Sequence, residues 1–181
     1  MAARVNVVGV AGVSRIMAYG CASMGGQPFN AVGMVELSSE KAPWDDLQFE
    51  LLRIPRLEVF KLCSRQHTVV IHLDQPTVVD FYTGTHVTRA ALRPGTVGAR
   101  PAGLITHVRI HHAHRKIYLG LSDSTLKCTA AQCDLQHIEP MFHWGDRDPQ
   151  VLHLALALKG EVERDYPSGR IFGDCIRTAL A

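Results

Sequence analysis

The most concentrated chemistry in this sequence is a cluster of histidines late in a segment rich in strand-forming residues. Four of the ten histidines, His107, His111, His112 and His114, lie within eight residues of one another. Imidazole binds transition metals and exchanges protons near neutral pH, so such a cluster could form a metal site or a proton-transfer site. Whether the rings converge depends on the strands and turns that carry them.

The alternation of side chains around His107 predicts that this histidine faces away from the core. His107 and Arg109 share one face of a strand, while Val108 and Ile110 form the other. Because the apolar pair must face the core, the ring of His107 is expected on the outer face.

The other three histidines of the cluster are predicted to lie in the turn that follows. His111, His112 and His114 come just before Arg115 and Lys116. Nearby positive charges disfavour both a protonated imidazole and a bound divalent cation. We interpret the three histidines as solvated turn residues, with a pH-linked or partner-linked role and a metal site as the alternatives.

A second pair of histidines lies earlier in the chain and has unfavourable spacing for a shared metal. His67 and His72 are five residues apart, and residues five apart on a strand point to opposite faces. No glutamate follows them, and the next carboxylates are Asp74 and Asp80. The sequence therefore predicts neither a metal site nor any other cofactor.

Composition excludes several classes of protein. The 181 residues carry a net charge of +2, and the basic residues are spread singly, without the basic stripe of a free-standing DNA-binding domain. The five cysteines lack the paired spacing of a zinc site, and no apolar run is long enough to span a membrane. Neither a nucleophile elbow nor a glycine-rich phosphate loop occurs, so we expect a cytoplasmic globular protein that is not an enzyme.

Short strands dominate the middle of the chain. Segments rich in Val, Ile, Thr and aromatic residues are separated by turn signals and have no helices between them, which indicates an antiparallel sandwich or barrel. Pro76, Pro94 and Pro101 fall at strand ends, where proline removes no ladder hydrogen bond. The predicted strands span residues 48–54, 57–63, 68–73, 77–82, 86–92, 96–99, 104–110 and 116–121.

The C-terminal part changes to a helical period. A helix is predicted after Ser122 or Ser124 as N-cap, then a loop over residues 137–145, then a second helix capped by Asp148 with Pro149 in its first turn. The apolar residues of that second helix at helical spacing are Val151, Leu152, Ala155, Leu158 and Val162. A last helix is predicted with one apolar side made of Ile171, Phe172, Cys175, Ile176, Ala179 and Leu180.

The predicted organisation has three parts. Residues 1–42 form an N-terminal extension in which residues 5–13 could make one strand without an obvious partner. Residues 43–121 form the β-barrel, and residues 122–181 form the helical segment. The apolar stripe of the last helix is still running at Ala181, so we expect further residues downstream.

The helical segment closely resembles the stretch that precedes the DNA-binding domain in AraC-type bacterial transcription regulators. The segment reads DPQVLHLALALKGEVERDYPSGRIFGDCIRTALA. Upstream, HTVVIHLDQP and RPGTVGARPAG are similar to the early strands and the proline–glycine turn of the cupin-like sensor domain in that family. The positions that carry the resemblance are Trp44, Pro55, Asp148, Pro149, Leu152, Leu158, Glu161, Gly169, Arg170, Phe172, Ala179, Leu180 and Ala181.

The resemblance implies a mainly β (α+β) fold, a cupin-like antiparallel β-barrel or double-sheet sandwich followed by a C-terminal helical hairpin. It implies an effector-sensing and dimerisation domain that binds a small molecule, forms a homodimer, has no membrane partner and acts on DNA only through a downstream helix-turn-helix domain. Tyr82, Tyr118 and His72 are the predicted ligand-binding residues. The predicted dimer contacts are Leu152, Leu156, Val162, Ile171 and Ile176.

Two alternatives accompany this interpretation. A metal-dependent cupin enzyme, of dioxygenase or isomerase type, would have to bind its ion through His67, His72 and His107. A ligandless dimerisation domain would have no apolar cavity inside its barrel.

Overall fold

Twelve strands and three helices make up the part of the chain that the computed structural model describes, which is residues 6–10, 13–17, 33–83, 85–136, 138 and 140–181. The strands are β1 Asn6–Val10, β2 Val13–Met17, β3 Met34–Ser38, β4 Leu47–Ile54, β5 Leu57–Leu62, β6 His67–His72, β7 Thr77–Thr83, β8 His86–Leu92, β9 Thr96–Arg100, β10 Thr106–Ile110, β11 His114–Leu121 and β12 His143–Arg147. The helices are α1 Asp123–Gln132, α2 Pro149–Glu163 and α3 Gly169–Leu180. No helix in these ranges is long and apolar enough to cross a bilayer.

Eight of the strands form two facing sheets with jelly-roll connectivity. Sheet I contains the order β5-β10-β7-β8, and sheet II contains the order β9-β6-β11-β4. Neighbours within both four-strand orders are antiparallel. Such a double-sheet jelly roll is the architecture of cupins. The predicted fold class, a double-sheet sandwich followed by a helical hairpin, is confirmed, and the eight predicted strands all form close to their predicted bounds.

The remaining four strands, β1, β2, β3 and β12, add to the edges of the two sheets. They lie in segments that the sequence predicted to be an N-terminal extension and a loop. The described residues of the predicted extension, residues 1–42, form three strands instead of one: β1 pairs with β2, β2 pairs in parallel with β5, and β3 pairs antiparallel with β4. The loop predicted over residues 137–145 is also partly wrong, since β12 begins at His143 and pairs with β9 around a bulge at Gly145, where φ is 111°. Pairing at a sheet edge uses backbone groups, so it leaves little signature in the side chains.

The period-two alternation of sheet II creates two apolar cores. On β11, Ile117 and Leu119 point toward the helices, whereas Tyr118 points between the sheets. The core between the sheets consists of Leu52, Ile54, Leu57, Val59, Leu62, Val70, Val79, Phe81, Leu92, Val108, Ile110 and Tyr118. The core between sheet II and the helices consists of Trp44, Leu47, Phe49, Leu51, Ile71, Ile117, Leu119, Leu121, Ala155, Leu158 and Ile176.

Polar side chains fix the ends of the helices. The Ser122 hydroxyl accepts from the Thr125 amide at 3.1 Å, and the Asp148 carboxylate accepts from the Gln150 amide at 2.9 Å, so both predicted N-caps are confirmed. The buried carboxylate of Glu161 accepts from the Ser168 amide and hydroxyl and thereby ties α2 to the start of α3.

Helix α3 packs against Trp44. Only some of the apolar residues predicted on one side of this helix are buried by that contact. Gly173 and Ile176 are buried there, while Ile171 is 78% exposed and Cys175 is also exposed. The apolar side predicted for this helix is therefore only partly buried. Ile171 and Cys175 lie roughly one third of a turn from Ile176 and face solvent.

We predict that Gly173→Ala destabilises the protein although alanine is normally the better helix former. A Cβ at Gly173 would lie 2.5 Å from the Trp44 ring, and such overpacking costs about 1–3 kcal/mol. Gly160→Ala on α2 is the matched control, because its nearest neighbour is the Arg164 side chain at 3.9 Å. Urea unfolding should show lower stability for Gly173→Ala and a gain of up to about 1 kcal/mol for Gly160→Ala. Equal behaviour of the two variants would contradict the packing of α3 on Trp44.

Candidate functional site

A cavity that opens to solvent lies between the two sheets. Its two walls differ in chemistry, because sheet II contributes all of the polar side chains except Thr106, and sheet I contributes most of the apolar ones. The polar lining residues are Thr68, His72, Arg100, Thr106, His114 and Lys116. The apolar lining residues are Val59, Leu62, Val70, Val79, Phe81, Leu92, Val108, Ile110, Phe142 and Trp144.

Three neighbouring strands of sheet II place the cationic side chains on one wall. On β11, Lys116 is paired in register with His72 of β6. Four positions away on β6, and so on the same face of the strand, Thr68 is paired with Arg100 of β9. Because directly paired residues lie on the same face of a sheet, all four side chains point toward the cavity. The Arg100 guanidinium also donates to the Thr106 hydroxyl of sheet I at 3.4 Å.

Strand β12 supplies an aromatic wall at the side of the sandwich. The indole of Trp144 lies directly over Gly98 of β9, where a Cβ would come within 2.3 Å of the ring. The same indole stacks on Phe81 of sheet I, with ring centroids 4.7 Å apart and an interplanar angle of 29°. Trp144 therefore connects the two sheets along one edge of the cavity.

Burial lowers the pKa of each basic group of the cavity. Lys116 is buried, and this burial together with the nearby Arg100 lowers its pKa to about 7. Burial also lowers the pKa of Arg100. The pKa of His114 falls to about 4 and that of His72 to about 2, in both cases mainly because of burial and then because of neighbouring basic groups. Both imidazoles are therefore neutral at physiological pH.

The ring nitrogens of His72 and the indole nitrogen of Trp144 are unsatisfied polar groups in this cavity. All three atoms are buried, and none has a hydrogen-bond partner among the described residues. His114 is different, because its Nδ1 donates to the carbonyl of His112 at 3.2 Å, which leaves Nε2 as the acceptor in the neutral ring. Buried polar groups are normally hydrogen-bonded, so the unsatisfied nitrogens of His72 and Trp144 make this cavity the candidate ligand site.

Two sequence-based expectations about side-chain direction are wrong. His114 is not a solvated turn residue: it begins β11, is 5% exposed, and lies 4.9 Å from the His72 ring, centroid to centroid. Tyr82 does not point into the barrel but stacks on His107 at 4.1 Å on the outer face of sheet I. Tyr118 does face inward, where its hydroxyl bonds to that of Ser64 at 3.1 Å. Of the three predicted ligand-binding residues, only His72 lines the cavity.

The outer face of sheet I carries the remaining histidines of the cluster within an ordered row of charges. The cross-strand register puts Glu58, Arg109, Asp80 and Arg89 side by side on four successive strands, with alternating sign. Opposite charges directly across strands stabilise a sheet. Arg89 donates to both oxygens of Asp80, and the pKa of that carboxyl falls to about 2.

Two histidines complete this row of charges. His107, predicted to face outward, does so and bonds to Glu58 at 2.7 Å, and its ring lies between those of Phe60 and Tyr82. His111 bonds to Asp80 at 2.8 Å. His112 is exposed, as expected for a turn.

The three histidines required by the metal-enzyme alternative do not converge. His72 lines the cavity, while His67 is on the opposite face of β6 and accepts from the Ala102 amide. His107 is on the outer face of the other sheet. Inside the cavity the donors are two imidazoles beside two cationic side chains, with no carboxylate among the lining residues, and this set does not fit a divalent ion. The described residues contain no other group of three metal-ligating side chains.

Sequence reasoning missed Arg100, Lys116 and Trp144. The signal for Lys116 was present in the strand HRKIYLGL, where Ile117, Leu119 and Leu121 make one apolar face and the other face holds His114, Lys116 and Tyr118. If the strand had been predicted to start two residues earlier, at His114, the sequence would have placed His114, Lys116 and Tyr118 on one face. Trp144 gave no such signal, since its position depends on the pairing of β12 with β9.

The predicted dimer contacts divide into exposed and buried residues. Leu156 is 41% exposed and Ile171 is 78% exposed, so both are available on the surface of the helical hairpin. Leu152 and Val162 are half-buried against the core between sheet II and the helices. Ile176 is buried in that core, so its predicted role in a surface contact is wrong.

Comparison with known proteins identifies no close relative. No family model matches the chain, and no curated protein matches it. Among solved structures, the chain is similar to a cupin domain from Bordetella pertussis Tohama I, with 15% identity, 50% of this chain and 92% of that chain covered, and a TM-score of 0.39. It is also similar to a cupin superfamily protein from Desulfitobacterium hafniense, with 20% identity, coverage of 45% and 72%, and a TM-score of 0.37. An oxalate decarboxylase has 12% identity, coverage of 58% and 33%, and a TM-score of 0.40. These scores are low, and the jelly-roll assignment rests on the strand order of this chain.

The depressed pKa of Lys116 predicts that stability rises with pH above neutrality. The unfolded chain keeps this proton up to the usual value of 10.5, while the folded chain loses it above about 7. Between these values the unfolded state binds more protons, so the free energy of unfolding should rise by up to about 1.4 kcal/mol per pH unit. Urea unfolding from about pH 7 to about pH 10 measures this rise.

Lys116→Met should abolish that rise and stabilise the protein at neutral pH, whereas Lys127→Met, on the exposed face of α1, should leave it intact. The other titratable groups that face Lys116 are His72 and His114, which titrate at lower pH, and Tyr118, whose pKa is raised by burial. An unchanged slope in Lys116→Met would contradict the assignment.

Because the three histidines are far apart in direction, we predict that they do not bind a metal ion together. Protein purified without a histidine tag should hold no stoichiometric iron, zinc or manganese by mass spectrometry of the metals, because His67, His72 and His107 lie on three different faces. Stoichiometric metal that disappears when these three are changed together to alanine would overturn this expectation and support an enzyme.

Proposed function

We propose that this chain is the effector-sensing and dimerisation part of a cytoplasmic AraC-type transcription regulator, whose DNA contacts are made by a helix-turn-helix domain encoded downstream. The observation that carries the proposal is a cavity with one cationic and one apolar wall inside a jelly roll whose back is covered by an amphipathic helical pair. A ligandless dimerisation domain is disfavoured, because it would need no such cavity.

Strand β11 offers a physical connection between the cavity and the helices. His114 and Lys116 point into the cavity, while Ile117 and Leu119 of the same strand pack in the core under α2 and α3. A ligand that moves this strand changes the support of the helical pair. If the ligand binds the protein more tightly in one arrangement of α2 and α3 than in the other, ligand binding is coupled to the arrangement of the dimer.

The exposed apolar residues of the helical pair are the proposed contact with a second copy of this chain. Leu156 and Ile171 are large, apolar and exposed, and they belong to the segment that resembles the regulator family. Apolar groups left in water on a surface helix favour a partner that covers them. A homodimer formed through this face would place the two C-terminal helices next to each other.

The proposal predicts a dimer that depends on the exposed face of the helices. Sedimentation of the wild-type chain at micromolar concentration should show a dimer, and the double variant Leu156→Glu/Ile171→Glu should sediment as a monomer because buried carboxylates are strongly disfavoured. Val87→Glu is the control, since Val87 is 54% exposed on the outer face of sheet I and should leave the dimer intact.

A monomeric wild-type chain, or a dimer abolished only by Val87→Glu, would contradict the proposed interface. Circular dichroism should be the same for all variants, because none of the three residues belongs to either core. The reading frame after codon 181 should encode two helix-turn-helix units, and an unrelated continuation would contradict the regulator assignment.

A further inference from the structure

The two walls of the cavity are complementary to different chemical groups, one polar and one apolar. Sheet II presents Arg100 and Lys116 with the neutral rings of His72 and His114. Sheet I and β12 present hydrocarbon and aromatic surface, including Phe81 and Trp144. A ligand that satisfies both must be polar at one end and apolar along the rest of its length.

We propose that the cavity binds a small amphipathic carboxylic acid, with its carboxylate against the wall of Arg100 and Lys116 and its apolar body between the sheets beside Phe81 and Trp144. This inference rests on the proposed function only in taking the barrel as the effector site. It adds the chemical class of the effector.

The charge of the wall favours an anion over a neutral or cationic ligand. Arg100 and Lys116 are both lining residues, and no aspartate or glutamate is among the lining residues that the structure describes. Glu50 faces inward from β4 beyond the cavity lining, accepts from Gln48 at 2.8 Å, and has a pKa that burial raises toward the neutral form. A carboxylate beside Lys116 would favour the ammonium form of a side chain whose pKa is lowered by burial and by the nearby Arg100.

The unsatisfied hydrogen-bonding atoms point to the same group. His72 is 4% exposed, and neither of its ring nitrogens has a partner among the described residues. One of these nitrogens carries a proton in the neutral ring, so it can donate to a carboxylate oxygen. The Trp144 indole nitrogen is a second buried donor without a described partner, and its ring lies 6.1 Å from that of His72. Acceptor-only carboxylate oxygens suit these donors.

The opposite wall excludes strongly polar anions and sugars as the main ligand. A sugar or a phosphate ester would place hydroxyl or phosphate oxygens against Val59, Val79, Val108 and Ile110, which offer no hydrogen bonds. Burying an unsatisfied hydroxyl costs roughly 1–3 kcal/mol in proteins. A hydrocarbon or aromatic body meets this wall without that cost.

Calorimetric titration of the full chain with matched acids and amides tests the proposal. The probes are benzoate, phenylacetate and octanoate, each compared with its primary amide at about pH 6, where Lys116 is protonated. At least one acid should bind, and it should bind at least about tenfold more tightly than its amide, which corresponds to about 1.4 kcal/mol. Its binding should also change the tryptophan emission, and Trp144→Phe should remove that change.

Variants of Lys116 separate a charge effect from a packing effect. Lys116→Met should weaken acid binding at least about tenfold while leaving the amide unchanged, and Lys116→Arg should preserve preference for the acid. Lys127→Met on the exposed surface of α1 is the matched control and should change neither. Raising the pH from about 6 to about 8 should weaken acid binding and make it take up a proton, since Lys116 is then mostly neutral in the free protein.

Three results would overturn the inference. Equal binding of acid and amide, unaffected by Lys116→Met, would leave the barrel as an effector site but with a neutral ligand. Failure of every acid at millimolar concentration would reject the carboxylate class, and acid binding that leaves the Trp144 emission unchanged and survives Lys116→Met would place the site elsewhere. None of these results bears on the dimer, whose presence in sedimentation tests the proposed function separately.

Discussion

The structure depends on the alternation of β11, because one face of this strand packs in the apolar core beneath the helices and the other face contributes to the cavity and to the core between the sheets. One face places Ile117, Leu119 and Leu121 against the helices, where each buries its side chain almost completely. The other face gives Lys116 to the cavity and Tyr118 to the core between the sheets. A shift of one residue in the register would exchange the faces and bury the lysine under the helices. The jelly roll, the helical cover and the polar cavity wall are therefore fixed together by one strand.

Charged residues stabilise the fold on the outer face of sheet I, whereas a charged residue destabilises it in the cavity between the sheets. On the outer face of sheet I, Glu58, Arg109, Asp80 and Arg89 alternate in sign across the strands, and the Asp80 pKa falls because Arg89 stabilises the carboxylate. In the cavity, burial lowers the pKa of Lys116 because the ammonium form is destabilised. A buried basic group with a lowered pKa in a cavity is a candidate for a functional site. This contrast makes the cavity the candidate functional site, whereas the charge pairs of the outer face stabilise the sheet.

The elements were largely predictable, and the direction of individual side chains was less so. Strand positions, both N-caps and the outward direction of His107 followed from local alternation and capping chemistry. His114 was misplaced because a boundary error of two residues moved it from a strand into a turn. Tyr82 was misplaced because alternation alone does not tell which face of a strand with apolar residues on both sides is the inner one. Arg100 and Trp144 were missed because they meet the site only through β9 and β12.

The sequence by itself determined the strand-rich centre, the capped helices after it and the failure of His67 and His72 to share one face. Each of these depends on residues a few positions apart, whose relative direction the helix or strand period fixes. Only the tertiary structure decided that Lys116, Arg100, His72 and Trp144 surround one cavity, and that Ile176 is covered while Ile171 is not. Those relations join three strands of the jelly roll, the added strand β12 and one helix packed on Trp44. Such long-range pairing is set by which faces pack against each other.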